Sequence, residues 1–377
     1  MNHLPFKYEK LPLNIFLKDH HESIANSLLF EFTPVWLQAN AQHMLTRNDQ
    51  VWVHCLFDAK HKNQKKLLIA WPLVHKVSGK QQVISSLSSF YSAVTMPFLS
   101  ESDASRKCMK EEQMNYTHSD SVISNHLLIE YFSTLLTYVK KDNTWQQMLL
   151  GSFELNSVFV EQIYKQFSFV KTYACADNWY CENIETFQNY YSQRPSQLKN
   201  TIKRKKKKLA ADHHYHSKII IEPAEFKHFF SDYQRIYRLS WKGDEYSFEF
   251  IKHVCLQAAA QNKLRMGILF VDDQAVAMQL WFLQNNTASI FKLAYDPDYK
   301  AYSVGSILSM ALSEHVIEYD KVTCIEFGMG SEPYKKDWMD QKQERVTLQV
   351  FNERTFMGLL GAAKHIILSK LKLYLPK

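Results

Sequence analysis

The residues best suited to chemistry fall between Lys292 and Trp338. Ser303, Val304, Gly305 and Ser306 open a helix whose apolar-face positions are 304, 307, 308, 311, 312 and 316, the one-face pattern of period 3.6. Asp296-Pro297-Asp298, just upstream, is turn chemistry. A helix start presents free backbone N–H groups and the positive end of the helix dipole, and a small residue there lets a phosphate come close to the backbone. The plainer alternative is a strand–helix–strand unit in which Gly305 only eases packing. Val322 to Phe327 then reads as a buried strand ended by Gly328 and Gly330, two of only nine glycines, and Tyr334-Lys335 follows.

A second constellation lies upstream. Lys199 to Lys208 contains seven basic residues and no acidic one. The periodicity predicts a helix over 187–212, started by Arg194-Pro195-Ser196, with Lys199, Lys203, Arg204 and Lys207 on one face. Such a face is either solvated surplus charge or a wall for an anion: a coenzyme phosphate, a lipid-linked sugar diphosphate or a tRNA. Only Tyr190, Tyr191 and Tyr215 interleave aromatics with it, which argues against nucleic-acid recognition proper. His213, His214 and His216 read as a polar turn, and no metal is expected. Trp241-Lys242-Gly243 ends a helix over 224–240, its indole either packed at the C-cap or walling a pocket.

The elements that must position these residues follow from hydrophobic period and turn chemistry. Strands are expected at 51–57 and 66–74, in the aromatic, serine-rich 83–98, at 145–150, through 167–180, and at 217–222, 264–271, 275–282, 289–294, 322–327 and 345–351. Helices are expected at 22–45, 122–140, 154–166 and 246–261 besides those named. Residues 99–121 read as a long loop. The strand–turn–strand units 51–71 and 265–282, each ahead of an amphipathic helix and another strand, suggest a duplication with a period of half the chain.

Composition bounds the rest. The chain has 377 residues, 46% of them hydrophobic, with 24 Phe, 20 Tyr and 8 Trp; packed cores in two domains are the natural reading. The net charge of +7 matches the seven basic residues of the 199–208 run, so a global nucleic-acid-binding surface is not implied. Six scattered cysteines without a C-x-x-C pair indicate neither zinc nor a disulfide framework. No apolar core of a signal peptide and no membrane-length apolar run is seen, so a cytoplasmic protein is expected. The tail 356–377 carries Lys364, Lys370, Lys372 and Lys377 among apolar residues. It reads as a terminal helix packed on a neighbouring domain, with peripheral contact to a membrane surface as the alternative.

Lys300-Ala301-Tyr302-Ser303-Val304-Gly305 resembles a degenerate GNAT acyltransferase signature. With Leu308 and the spacing Gly328-x-Gly330-x-x-x-Tyr334-Lys335-x-x-Trp338, residues 190–350 more specifically resemble the CelD-like acetyltransferases of polysaccharide synthesis and the related FemAB-type transferases. Lys300 stands where that signature has Arg or Gln, and Ser303 where it has its first glycine. The resemblance implies an α/β fold of tandem GNAT-like domains, each a mixed central sheet flanked by helices. The expected division is 1–186 as an N-terminal GNAT-like domain without a cofactor site, 187–216 as a basic interdomain helix, and 217–377 as the acyltransferase domain.

The activity so implied is direct transfer of an acyl group from acetyl-CoA or another acyl-CoA to an amine or hydroxyl of a sugar or polysaccharide precursor. Lys300, Tyr302, Ser303, Val304, Gly305 and Ser306 would hold the cofactor. Glu326 would be the base, Tyr334 the acid and Lys335 the binder of an anionic acceptor or of developing charge. Trp241, Lys203 and Arg204 would contact substrate. Two rivals are kept: a FemAB-type transferase using aminoacyl-tRNA, and a non-catalytic accessory protein of polysaccharide synthesis or export.

Overall fold

A computed structural model describes residues 6–25, 27–59, 66–78, 81–99 and 120–372. The long loop expected at 99–121 lies almost wholly outside the described residues. The chain forms two units, Met1–Ala176 with Glu344–Lys377, and Asp177–Gln343.

The first unit starts with β1 (Phe6–Pro12), α1 (Leu13–Ala25) and α2 (Pro34–His43). It continues through β2 (Gln50–Asp58), β3 (Lys66–Ser78), β4 (Gln81–Ser86) and β5 (Phe98–Leu99) to α3 (Asp120–Lys141), β6 (Gln147–Glu154), α4 (Val158–Gln166) and β7 (Val170–Ala174). The second unit has β8 (Asn178–Cys181), α5 (Phe187–Ser192), α6 (Ser196–Asp212), β9 (Tyr215–Ile220), α7 (Pro223–Leu239) and α8 (Phe248–Ala260). Then come β10 (Leu264–Val271), β11 (Gln274–Gln284), β12 (Thr287–Tyr295), α9 (Val304–Glu318), β13 (Cys324–Met329), α10 (Lys335–Trp338) and β14 (Gln341–Gln343). Finally β15 (Arg345–Phe351) and α11 (Phe356–Lys372) return to the first unit.

Both sheets are mixed and flanked by helices. The first runs β1-β2-β3-β4-β6-β15-β7, with β5 on β3, and the second β14-β8-β13-β12-β11-β10-β9. Each contains one parallel pair, β4 with β6 and β12 with β13, reached through α3 and α9 respectively. Meander, crossover helix, parallel strand is thus built twice, the pattern the half-chain duplication suggests.

The boundaries differ from those expected at 186, 216 and 377. Strand β8 pairs with β13, and α5 and α6 lie in the second unit, so the basic helix is part of a domain and not a linker. Strand β15 inserts between β6 and β7 of the first sheet, where its alternating Val346, Leu348 and Val350 are buried. The single helix expected over 22–45 is broken between Ala25 and Pro34 by a short 3-10 turn, and 167–180 supplies two strands to two different sheets.

What sets the second unit's geometry is close packing under α9. Strand β10 is buried at all eight positions, as a strand covered on both faces must be. A Cβ at Gly267 would lie 2.6 Å from Leu312 Cδ1, so the absent side chain is what lets α9 seat Leu308 and Leu312 on the sheet. The far end of α9 is tied down by Arg265, whose guanidinium bonds Asp320 at 2.9 and 2.5 Å with both groups largely buried.

In the first unit, His54 is fully buried and its Nδ1 bonds the Tyr8 hydroxyl at 2.8 Å, while its ring stacks on His75 at 5.8 Å. Burial pushes the pKa of His54 from 6.5 down to about 3 and that of His75 to about 4, with Lys10 adding to both. Below 6.5 the unfolded chain takes up protons that the folded chain refuses, so acid favours unfolding. Urea midpoints are expected to fall as pH drops from 6.5 toward 4, and a His54→Gln, His75→Gln double variant should flatten that dependence.

Candidate active site of the second unit

The parallel pairing of β12 with β13 covers only Thr287–Cys324, Ala288–Ile325 and Ser289–Glu326. Beyond that point β12 runs on to Tyr295 and β13 to Met329 without pairing to each other, so the sheet forks toward the C-terminal ends of two parallel strands. Open α/β sheets place ligands at such ends. Glu326 sits at the fork: Oε1 accepts from Ser289 Oγ at 2.7 Å and Oε2 from Asn178 Nδ2 at 3.2 Å.

On the β12 side the chain turns through 297–302 into α9. Asp296 Oδ1 caps the turn by accepting from the Asp298 amide at 3.1 Å. Ser303 adopts φ 55, ψ 40, the left-handed conformation, and its side chain makes no cap hydrogen bond to the helix. The first amides of α9, at Val304, Gly305 and Ser306, therefore open the helix without a side-chain cap. A Cβ at Gly305 would meet Tyr295 Cδ1 at 3.3 Å, and Tyr295 packs against the exposed Trp241 at 4.7 Å between ring centroids. Trp241, Tyr295 and Gly305 thus line one wall.

Helix α6 holds the turn from outside. Ile202 and Leu209 bury its inner face. Its lysines reach across: Lys205 Nζ donates to Ala301 O at 2.5 Å and Lys208 Nζ stands 4.9 Å over the Tyr302 ring. Tyr302 donates to Asp212 at 3.0 Å, which keeps its hydroxyl protonated, and contacts His213, which in turn bonds Asp272 at 2.7 Å. Lys203, Arg204 and Lys300 are exposed; the basic residues that touch the turn are Lys205 and Lys208, one and four positions beyond Arg204. Like charges at i,i+4 on α6 each oppose helix formation by about 0.2–0.5 kcal/mol, so the run persists despite its effect on stability. His214 and His216 lie with Asp273, all exposed, their ligand-capable atoms within 4.8 Å of one another.

On the β13 side lies the glycine loop. Gly328 and Gly330 have φ 60 and 132. A Cβ at Gly330 would fall 2.2 Å from Glu332 Oε2 and 2.4 Å from Lys335 Nζ, so only glycine lets the loop close over that pair. Lys335 is 3% exposed; its ammonium donates to Met329 O at 2.8 Å, pairs with Glu332 at 3.0 Å and lies over the Phe327 ring. Burial lowers its pKa, with Glu332 opposing. Tyr334 packs edge-on against Phe327 and remains partly exposed; burial and then the Glu332 charge hold its hydroxyl well above the usual range.

Four further residues belong here to which the sequence reading gave no role. Lys292 points inward from β12 and pairs with Glu245 at 3.0 Å, the glutamate side chain having no exposure at all. Tyr237 bonds Glu245 and is raised by burial and by that charge. Lys242 is solvent-reachable along its length, yet the protein crowding its ammonium, and then Lys292, pull its pKa down to about 8. Lys335, Glu245 and Glu332 also act on Lys242, which makes the 241–245 turn, β12 and the glycine loop one electrostatic neighbourhood. The available signal was Lys292 itself, a charged residue at an inward position of an otherwise alternating apolar strand.

Residues 196–336, from α6 to the start of α10, match the family described as an acetyltransferase (GNAT) domain. Among solved structures, FemX aligns over 92% of this chain and 98% of its own with a TM-score of 0.59 at 8% identity. A conserved protein of unknown function from Bacteroides thetaiotaomicron VPI-5482 aligns over 92% and 99% with a TM-score of 0.51 at 10% identity. At such identities the likeness is one of fold. A comparison with curated protein sequences returns no match. Residues 196–336 of the second unit thus resemble an acetyltransferase (GNAT) domain, and the chain shares its fold with FemX over 92% of its length.

Breaking a buried ion pair on one side leaves an uncompensated charge, at about 3–5 kcal/mol, whereas replacing both partners by apolar groups is near neutral. Glu245→Gln is therefore expected to lower urea-unfolding stability by about 3 kcal/mol, and Glu245→Leu with Lys292→Met to recover most of it.

Proposed function

We propose that the second unit transfers an acyl group, acetyl or larger, from an acyl-CoA to the amine or hydroxyl of a sugar or polysaccharide precursor. The observation that carries the reading is the opening of α9. Uncapped amides at Val304, Gly305 and Ser306 converge with Lys205 and Lys208 beside a forked parallel pair, inside a segment matching a GNAT domain. That combination suits a pyrophosphate, whose charge meets both the helix dipole and two ammonium groups. Lys300 and Tyr302 shape the approach, with Ser303 supplying the sharp bend.

In this reading the acyl thioester lies along the fork and the acceptor enters on the glycine-loop side. Glu326, held by Ser289 and Asn178, takes the acceptor's proton directly or through a water. Backbone N–H groups at the fork and the Lys335 ammonium stabilise the carbonyl oxygen as charge develops. Tyr334, a neutral phenol at pH 7 as any tyrosine is, returns a proton to the leaving thiolate. Trp241 walls the acyl or acceptor site, and Lys242 suits an acceptor carrying an anionic group. No covalent intermediate with the protein is required. In this reading the first unit needs no cofactor site of its own, and the carbohydrate acceptor rests on the resemblance to CelD-like enzymes. Acyl-CoA as donor is consistent with a cytoplasmic location.

A second reading is favoured by the exposed Lys203, Arg204 and Lys207, which leave a basic face free of the α9 turn. A tRNA could lie there, making the chain a FemAB-type transferase that uses aminoacyl-tRNA.

A thermal-shift titration separates the two. An acyl-CoA present at one hundred times its Kd adds about 2.7 kcal/mol to the folded state, enough for a rise of roughly 5–10 °C in a unit of this size. Wild type is expected to show that rise with acetyl-CoA or a longer acyl-CoA, and Gly305→Trp and Lys205→Glu with Lys208→Glu to lose it. No rise with any thioester, together with tRNA binding that weakens steeply with salt, overturns the acyl-CoA reading in favour of the tRNA one. Lys335→Ala and Tyr334→Phe should lose turnover while remaining folded; wild-type turnover in both would sink those assignments.

A further inference from the structure

Helix α11 packs with the wrong side of its residues for a core helix. At its start the contact with the rest of the first unit is made by small residues: a Cβ on Gly358 would lie 2.1 Å from Asn352 O, one on Gly361 3.1 Å from the Phe351 ring, and Ala362 is 2% exposed; one turn on, His365 packs on Phe351 at 5.4 Å between ring centroids. Among its described side chains the large apolar ones, all at the helix start, face outward, with Phe356 78% exposed, Leu360 52%, Leu359 44% and Met357 36%. Positions 356, 359 and 360 follow the i, i+3, i+4 spacing of a single helical face, so four large apolar groups form a contiguous exposed patch at the start of the helix, of the kind that marks an interaction surface.

The charge around the patch says what covers it. No acidic residue occurs from Thr355 to Lys377, while Lys364, Lys370, Lys372 and Lys377 do. Arg354 and Lys364 are both exposed beside the patch. The nearest acid in sequence, Glu353, is already paired with Lys140 at 2.5 Å and bonded to the Ser168 amide. A second copy of this chain would bring the same cations face to face. An anionic lipid surface instead supplies apolar depth for Phe356, Leu359 and Leu360 and negative headgroups for the cations. At 17 residues the helix is about 26 Å long, and no helix among the described residues is long and apolar enough to cross a membrane; α11 suits lying in the interface, not spanning it.

We propose that α11 docks this protein on the surface of an anionic bilayer, through Phe356, Met357, Leu359 and Leu360 with Arg354 and Lys364. The site is separate from the candidate active site, so neither reading depends on the other. The test is cosedimentation of the full chain with vesicles of equal parts phosphatidylglycerol and phosphatidylcholine, and with pure phosphatidylcholine. Binding is expected to the anionic vesicles, to weaken with salt, and to fall about tenfold or more for each leucine in Leu359→Ser and Leu360→Ser. Lys364→Glu should weaken binding to the anionic vesicles alone. Because these side chains are exposed, circular dichroism and Tm should stay at wild-type values, which separates lost docking from lost fold. No binding to anionic vesicles, or binding unchanged in the Leu359→Ser, Leu360→Ser double variant, overturns the proposal. So does sedimentation-velocity evidence of a dimer that the double variant abolishes, which would assign the patch to a second copy.

Discussion

The three-residue length of the β12–β13 pairing is the constraint on which the second unit depends. Two parallel strands that part after Ser289 and Glu326 leave a gap in the sheet where backbone groups and side chains from both banks face one space. A longer pairing would close the gap; on its other edge β13 is held in register by β8. The partners that hold the fork are local and polar, Ser289 and Asn178 on the two oxygens of Glu326. On one bank the chain must bend sharply into α9, which the left-handed Ser303 accomplishes. On the other it must fold back over Lys335, which Gly330 permits.

The banks carry opposite physical devices. At α9 the charge is delivered by backbone amides and by lysines that reach in from α6, a solvated and electrostatically forgiving arrangement suited to a phosphate group. On the β13 side Lys335 is buried although its partner Glu332 stays largely exposed, and beneath it Lys292 and Glu245 are buried together. A buried pair contributes little net stability compared with apolar packing, so Lys292–Glu245 and the buried Lys335 ammonium beside a fork fit a site shaped for binding or catalysis better than a site shaped for stability. The shifted ammonium of Lys242 belongs to the same pattern.

Chain connectivity adds a further feature. The strand order shows β8 leaving the end of the first half to join the second sheet, and β15 leaving the end of the second half to join the first. The second unit is one continuous segment, Asp177–Gln343, whereas the first is completed only by Glu344–Lys377, from beyond it. A linear division at 186 and 217 therefore misplaces α5, α6, β15 and α11: sequence proximity is a poor guide where a sheet takes a strand from the far end of the chain. It also gives α11 its platform, because only after β15 has entered the first sheet does the terminal helix find Phe351 and Asn352 to pack against.

Local chemistry in the sequence was enough to determine β10, β11, β12, α9 and β15, since each is written as a period of two or 3.6 that no neighbour has to complete. It also located the helix start at Ser303–Ser306, the glycines beside Tyr334-Lys335 and the density of charge on α6. The tertiary structure alone decided the sheet to which β15 belongs, because pairing is a property of two strands, and alternation in one says only that some face is buried. It alone decided that Lys205 and Lys208 touch the turn while Lys203 and Arg204 do not, because helical period orders the residues of α6 without saying which face the turn approaches. And it alone revealed Glu245, which reads in the chain as one more polar residue of a turn and is in fact sealed from solvent against Lys292. Burial of a charge is the outcome of many distant segments closing around it, and no local pattern of residue types encodes it.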